Sequence, residues 1–556
     1  MKFSKVVVCL LAVVSFAIGG CGSGIAPDPK PEVEGAPADQ NVGERLFIDT
    51  RFAEYFAENM MGTNDALAAG DPVVAQVSTP AGVLPGPFAG ESINCRSCHF
   101  VTEFTDVPKA RNRTYADFVE HSPMPRAING FQSTPRNAMQ MVGSLQPHAG
   151  PTFLHFDGQF NSAEDLVKET MTGRNFGWAQ DQYAQAVAHI ARIIREDNGN
   201  NFPSQTYTHG LSYAKIFAGT DASIPADSRL PAAYRMDVTT ASDEAIVDNV
   251  AKLVAAYASG LRFKQDSLGR FYASPYDAFL RLNHLPQQPQ GGETGQQYAQ
   301  RLLTLVQSLS SPTYVTASNG SFKYHDQAFV FGPQELAGLK IFLSAAPSAA
   351  DGSQHAGNCA SCHVPPNFTD FVFHNTGASQ EEYDAANGAG SFASLAIPGL
   401  ADRTANPDAY LPASANHPNA TERFRHPPVA GQPQYADLGL WNVYLNGDMP
   451  NPQADLKQVI CANAQNCAVD QGLAATIGQF KTPTLRDLED SAPYFHNGSK
   501  AKFDDVVKFY INVSQLMRQG KLRNGDVRLG AMSLSAEDVD ALVAFLKALT
   551  EDYDDA

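Results

Sequence analysis

The chain has 556 residues, 43% of them hydrophobic, and a formal charge of −18 at pH 7. That length buries a large core and divides into two or three domains. The acidity excludes nucleic acid and anionic membrane surfaces as partners and leaves a basic redox protein as a fitting one.

Lys2 and Lys5 precede an apolar run from Val6 to Ala17, broken only by Ser15 and too short for a permanent membrane span. Residues 1–21 therefore read as an export signal. Their end, Ile18-Gly19-Gly20-Cys21, resembles the lipobox of bacterial lipoproteins. The resemblance implies lipid on Cys21, and Gly22 after it implies a periplasm-facing protein anchored to the outer membrane. Residues 22–42, rich in Gly, Pro, Ala and acids, are expected to form a flexible linker.

Two copies of Cys-x-x-Cys-His follow, Cys95-Arg-Ser-Cys98-His99 and Cys359-Ala-Ser-Cys362-His363. Two thiols three positions apart form thioethers to the vinyl groups of one haem, and the adjacent imidazole becomes the axial ligand. The spacing thus predicts two covalently bound haem c groups on His99 and His363. A four-thiolate zinc site leaves the repeated histidine unexplained and is unusual in an oxidising compartment. With Cys9 lost in the signal, Cys461 and Cys467 remain, a spacing that suits a local disulfide.

Helical periodicity marks Ala163 to Met171, Gln180 to Arg195, Glu244 to Leu261, Gln296 to Leu309, Phe503 to Met517 and Ala536 to Leu549. Tyr183, Val187, Ile190 and Ile194 are expected on one buried face, and Ile246, Val250, Leu253 and Tyr257 on another. Ser535 is the expected N-cap of the last helix.

The halves repeat one another. Gly43-Glu-Arg-Leu-Phe47 answers Gly338-Leu-Lys-Ile-Phe342, and Phe-Thr-Asp follows each haem histidine at 104–106 and 368–370. Ser133-Thr134-Pro135 answers Lys481-Thr482-Pro483, and Phe156-Asp157-Gly158 answers His496-Asn497-Gly498. The expected fold is mainly α: two c-type cytochrome-like haem domains related by internal duplication, with a helical bridge and long loop insertions. The expected boundaries are 43–178 for the first haem domain, 179–335 for the bridge and 336–550 for the second.

Lys481-Thr-Pro-Thr-Leu-Arg486, Ala492-Pro-Tyr-Phe-His496-Asn-Gly-Ser499, Phe373-His374-Asn375-Thr-Gly377 and Asp437-Leu-Gly439 together resemble the second haem domain of bacterial dihaem cytochrome c peroxidases and their MauG relatives. The resemblance covers roughly 43–178 and 336–550; the bridge and 379–478 are longer than in ordinary peroxidases. It implies that hydrogen peroxide is reduced at the His99 haem, with electrons from a small cytochrome or copper protein passing through a closed haem on His363. It implies Tyr510 or Met532 as the ligand that closes the second iron, His121 as the removable ligand of the first, and Arg486 and His496 at haem propionates or the domain interface. The family's proton-moving Gln and Glu fall on Leu166 and Phe176, which leaves Glu169 as the substitute acid. The inter-haem tryptophan falls on Phe156, so Trp178 or direct transfer is expected to serve. The same likeness implies calcium held partly by the carbonyls of Ser491 and Pro493, with the family asparagine falling on Ser133. Two other readings follow from the departures and insertions: a MauG-like or rubber-oxygenase-like enzyme oxidising a protein or organic substrate, and a non-enzymatic dihaem electron carrier.

Overall fold

A missing side chain sets the first helix crossing. In the helix Ala38–Phe47, a Cβ on Gly43 would stand 2.1 Å from the carbonyl oxygen of Leu253, in the helix Asp243–Gly260. Only glycine lets the two backbones approach so closely. The crossing recurs further on, where a Cβ on Gly338, in the helix Pro333–Leu343, would stand 1.9 Å from the Ala541 carbonyl oxygen of the helix Val539–Lys547. Phe47 then meets the Tyr257 ring at 5.2 Å, and Phe342 meets the Phe545 ring at 5.1 Å. In both crossings the glycine lies four residues before the phenylalanine, and the opposed carbonyl four residues before the ring it meets.

The computed structural model describes residues 36–79, 82–86, 88–99, 134–322, 325, 327–345, 355–461, 469–489 and 491–552. The expected signal, Cys21, His121, Ser133 and Cys467 lie outside them. The fold is mainly helical, and the strands among these residues form two short antiparallel pairs, Gln76–Thr79 with Gly82–Pro85 and Phe373–His374 with Phe480–Lys481. No helix among them is long and apolar enough to cross a membrane. Cys461 is disulfide-bonded.

The helix Asp243–Gly260 starts where Ser242 accepts the Ala245 N–H, with Asp243 and Glu244 against the positive end of the dipole. Its apolar stripe, Ile246, Val250, Leu253 and Tyr257, is buried as expected. The last helical segment is capped by Ser535, which accepts the Glu537 N–H while Asp538 takes the Ser535 N–H in return.

Three expectations need correction. The bridge is not a separate body: residues up to Phe271 join one core with Val42 and Phe47, whereas residues from Tyr276 to Phe331 join another with Leu339 and Phe545. An amphipathic helix must bury its stripe somewhere, and here each stripe finds a haem-domain core. The linker is shorter than 22–42, because the helix already begins at Ala38 and Val42 is fully buried. Tyr183 is 42% exposed and donates its hydroxyl to Glu244, while Val187, Ile190 and Ile194 are buried.

The stretch from 379 to 478 also holds more than loops. Tyr383, Phe392, Phe424, Leu438 and Trp441 form a third apolar cluster, joined by Phe153 from the first half. Arg403, buried under the Trp441 ring, donates to the Trp441 and Tyr444 carbonyls.

Candidate active site

Each Cys-x-x-Cys-His segment folds back on itself. The His99 N–H donates to the Cys95 carbonyl at 3.0 Å, and the His363 N–H to the Cys359 carbonyl at 2.8 Å. Both cysteines and the imidazole are thereby gathered in one turn. The first turn is fixed by Asn94, which accepts the Ser97 N–H and donates to the Ile48 carbonyl. The second is oriented by its own ring: His363 Nδ1 donates to the Phe368 carbonyl at 3.0 Å, so Nε2 is the nitrogen that would face an iron. Burial pulls the His99 imidazole down to about 4, against a backbone hydrogen bond to Met139, and so holds it in the neutral, metal-binding form. Burial pushes the Cys95 and Cys359 thiols up to about 12. None of these four cysteines is in a disulfide, although Cys461 is. Reduced thiol pairs beside a neutral imidazole fit two covalently bound haem c groups.

A cavity of about 350 Å³ opens beside Cys95, Cys98 and His99. Phe47, Val254 and Ala258, from the first helix crossing, line it, so that crossing walls the first haem site. His155, Gln159, Glu169 and Arg425 line it too. Ser162 caps the helix Ala163–Thr172, which carries Glu169 in its second turn. Gln159 Nε2 donates to Glu169 Oε1 at 2.8 Å, and Arg425 Nη2 donates to Gln159 Oε1 at 2.6 Å. Arg425 also pairs with the fully buried Asp157 at 3.1 Å. Asp157 is held in turn by Arg136 at 2.6 Å, whose other nitrogens grip Asp437. Two guanidiniums thus face two carboxylates. Burial alone would raise the Asp157 pKa, but Arg136 and Arg425 outweigh it and hold it well below the usual range.

Glu169 behaves oppositely. Its side chain borders the cavity and so has accessible surface, yet the protein packed around it raises its pKa, with Arg425 and Gln159 only partly offsetting that rise. Burial pulls His155 down to about 4. The expected acid, Glu169, therefore does meet the His99 site. Sequence reasoning missed Gln159 and Arg425, although Gln159 directly follows the Asp157-Gly158 repeat.

Apolar side chains pack beside the second site. Met532, Phe509, Val513 and Leu529 form a cluster against which Cys359 and Tyr510 pack. Burial and the nearby Cys362 and Cys359 raise the Tyr510 phenol, which therefore stays protonated in this setting. Both expected closing ligands thus reach this site. Next to it, His374 is held by Asp370 at 2.7 Å and Asp526 at 2.6 Å. Burial opposes its charge, but the two carboxylates outweigh burial and push its pKa up to about 11. His374 was legible only as part of the family signature.

Other residues take different places from those expected. Arg486 is 1% exposed, and its guanidinium is committed to Asp277 through two 3.0 Å bonds and to the Pro366 carbonyl. It ties the helix Pro275–Leu282 to the second core. The Pro493 carbonyl accepts the Asn137 side-chain N–H at 3.0 Å. His496 does lie at the junction of the halves. It stacks on Phe480 at 3.6 Å, meets Phe156 at 6.3 Å, and accepts the Asn137 N–H at its carbonyl. Trp178 sits in the first core instead, donating to the Phe52 carbonyl and facing His189.

Two such sites on a helical chain fit a dihaem protein of the c type. No family model matches the chain. Cytochrome-c peroxidase IdrP2 of Denitromonas iodatirespirans is 28% identical over 195 residues, covering 35% of this chain and 36% of that protein. Cytochrome-c peroxidase IdrP1 of the same organism is 31% identical over 127 residues, 22% of this chain and 31% of the relative. Cytochrome c551 peroxidase of Nitrosomonas europaea is 30% identical over 128 residues, 23% and 30% of the two chains. The matches therefore span about a third of the length of these curated relatives. Among solved structures, a MauG-like protein associated with microbial copper homeostasis aligns over 93% of this chain and 91% of its own, at 15% identity and a TM-score of 0.42. Over these partial spans the chain is similar to bacterial cytochrome c peroxidases.

Proposed function

We propose that this chain is a dihaem c-type peroxidase that reduces hydrogen peroxide to two waters, taking two electrons from a small periplasmic cytochrome or copper protein and two protons from solvent. The observation that carries this reading is the asymmetry of the two sites. The cavity beside His99 contains a carboxylic acid with a raised pKa, while the His363 site is packed with apolar side chains, Tyr510 and Met532.

A haem bound at Cys95, Cys98 and His99 supplies the iron that accepts peroxide, and one at Cys359, Cys362 and His363 supplies electrons. The chain's own groups do the rest. Glu169, whose carboxyl pKa is raised by the protein around it, is the group placed to carry a proton and give it up toward the oxygen of a bound peroxide. Gln159 fixes which carboxyl oxygen faces the cavity. His155, kept neutral by burial, is an acceptor within the same space. The two matched helix crossings support a duplicated plan in which the first haem domain runs on to Leu261. The sequence of residues 1–21 supports export, with Cys21 as the lipid anchor.

The test uses the full chain carrying both haems and a reduced small cytochrome or copper protein. Peroxide-dependent oxidation of the donor is expected, and its absence overturns the reading. A second reading, oxidation of an organic or protein substrate, is favoured by Ala413, Glu422 and Arg425, which bring the 379–478 stretch into the cavity wall. Turnover that requires such a substrate and ignores the donor selects it.

A further inference from the structure

Arg425 reaches the first haem site from the other half of the sequence, 266 residues away from the glutamine it binds. Its side chain is 16% exposed and lies in the wall of the cavity beside His99. The chemistry of an amide decides what it does there. Gln159 offers one oxygen and one nitrogen at the end of its side chain. Arg425 can only donate, so it claims the oxygen, at 2.6 Å. The amide nitrogen is thereby turned toward Glu169 Oε1, at 2.8 Å. With the amide reversed, Arg425 would face a donor and Glu169 would face an oxygen. The Arg425 contact would then be repulsive, and so would the contact with an ionised Glu169.

The orientation is anchored from behind. Arg425 pairs with Asp157, which is fully buried and held by Arg136, and Arg136 is gripped by Asp437. Asp437 and Arg425 both belong to the 379–478 stretch, so this stretch holds both ends of the chain of contacts. Glu169 itself comes from a helix of the first half and has Gln159 as its hydrogen-bonding partner there.

We infer that Arg425 is the positioning residue of the first haem site, aiming the Glu169 carboxyl into the cavity through Gln159. The insertion therefore completes the reacting side of a haem that it does not attach. This inference rests on the peroxidase reading only for the identity of the small oxidant, a peroxide, that the cavity takes.

The test uses the full chain with both haems, oxidised and without donor, and measures the binding of fluoride and of cyanide at the first iron by absorption between pH 5 and 9. The charged groups bearing on Glu169 are Arg425 and Asp157, with Asp165 on its own helix. Removing the guanidinium in Arg425→Gln takes away the cation that lowers the Glu169 pKa. The pH midpoint of anion binding should rise by roughly one unit, and fluoride affinity at a pH between the old and new midpoints should rise by up to about ten-fold. Arg425→Lys keeps the charge and should restore most of the midpoint. Glu169→Gln should abolish the pH step, and Arg425→Gln added to it should move nothing further.

If Arg425→Gln does not take up haem, Gln159→Leu breaks the same relay from the other end and should give the same upward shift. An unchanged midpoint in the loaded variant, or a shift that persists when Glu169 is Gln, overturns the inference. A wild-type protein inactive with peroxide overturns the peroxidase reading instead, while the binding shift still decides the role of Arg425.

Discussion

Adding one methyl group at Gly43 tests whether the helix Asp243–Gly260 belongs to the first haem domain. In Gly43→Ala the new Cβ starts 2.1 Å from the Leu253 carbonyl oxygen and 2.9 Å from Tyr257 Cβ. The obstacle is main chain, so no rotamer change relieves it, and the helices must separate by roughly 1 Å to regain ordinary contact. Overpacking of this kind costs about 1–3 kcal/mol, and alanine returns about 1 kcal/mol of helix propensity. Because the clash is with backbone, the upper end applies, and the crossing should lose about 2 kcal/mol, or roughly 30-fold in its opening equilibrium. Gly338→Ala repeats the experiment at the second crossing, where the new Cβ meets the Ala541 carbonyl at 1.9 Å. Amide hydrogen exchange reads the outcome. Gly43→Ala should speed exchange in Asp243–Gly260 by about 30-fold and disturb only the spectrum of the His99 haem, and Gly338→Ala should do the same to Val539–Lys547 and the His363 haem. If Gly43→Ala leaves Asp243–Gly260 protected, or if both variants loosen the same helix, the assignment of that helix to the first haem domain is wrong.

Glu169→Gln should lower peroxide-dependent donor oxidation by about 10²–10⁴-fold while leaving both haem attachments intact by mass; steady-state kinetics with reduced donor measures this. Asp277→Asn should cost about 3–5 kcal/mol in denaturant unfolding, since it leaves the Arg486 cation buried and partly unpaired, yet should leave the ligation spectra of the first haem unchanged. Low-temperature electron paramagnetic resonance of Tyr510→Phe and Met532→Leu should show which side chain closes the second iron, because only the ligand's loss converts that iron from six to five coordination. The Glu551 carboxyl is pushed up to about 8 by burial, with Asp487 adding to the rise. The folded state therefore keeps a proton that the unfolded chain releases near its ordinary pKa of 4.5. Stability should be full below that value and fall as pH climbs toward 8, and unfolding midpoints of Glu551→Gln should lack that slope.

Local signals were legible in the sequence wherever the chemistry is local. The haem turns, the Ser535 cap and the buried stripe from Ile246 to Tyr257 each depend on residues within a few positions of one another. Periodicity reveals that a helix face is buried but not what covers it, so the two halves of the presumed bridge could not be assigned to their separate cores. Arg486 read as a residue of haem propionates or the domain interface, because its counter-ion, Asp277, lies 209 residues away. Tyr183 shares the helical phase of Val187 and Ile190, yet its hydroxyl has a partner at the surface in Glu244. Glu169 could be reached by counting from Asp157-Gly158, whereas Arg425 carries no motif and gains its meaning only from the fold.

Beside the ion pairs at the junction between the halves run two main-chain bonds. The Lys481 N–H donates to the Phe156 carbonyl at 2.7 Å and the Asn137 N–H to the His496 carbonyl at 2.8 Å. Such bonds do not depend on which side chain each residue carries. Descendants of this chain are therefore free to exchange the aromatic rings along the junction, tuning how readily charge crosses it, while the spacing of the two centres is inherited unchanged.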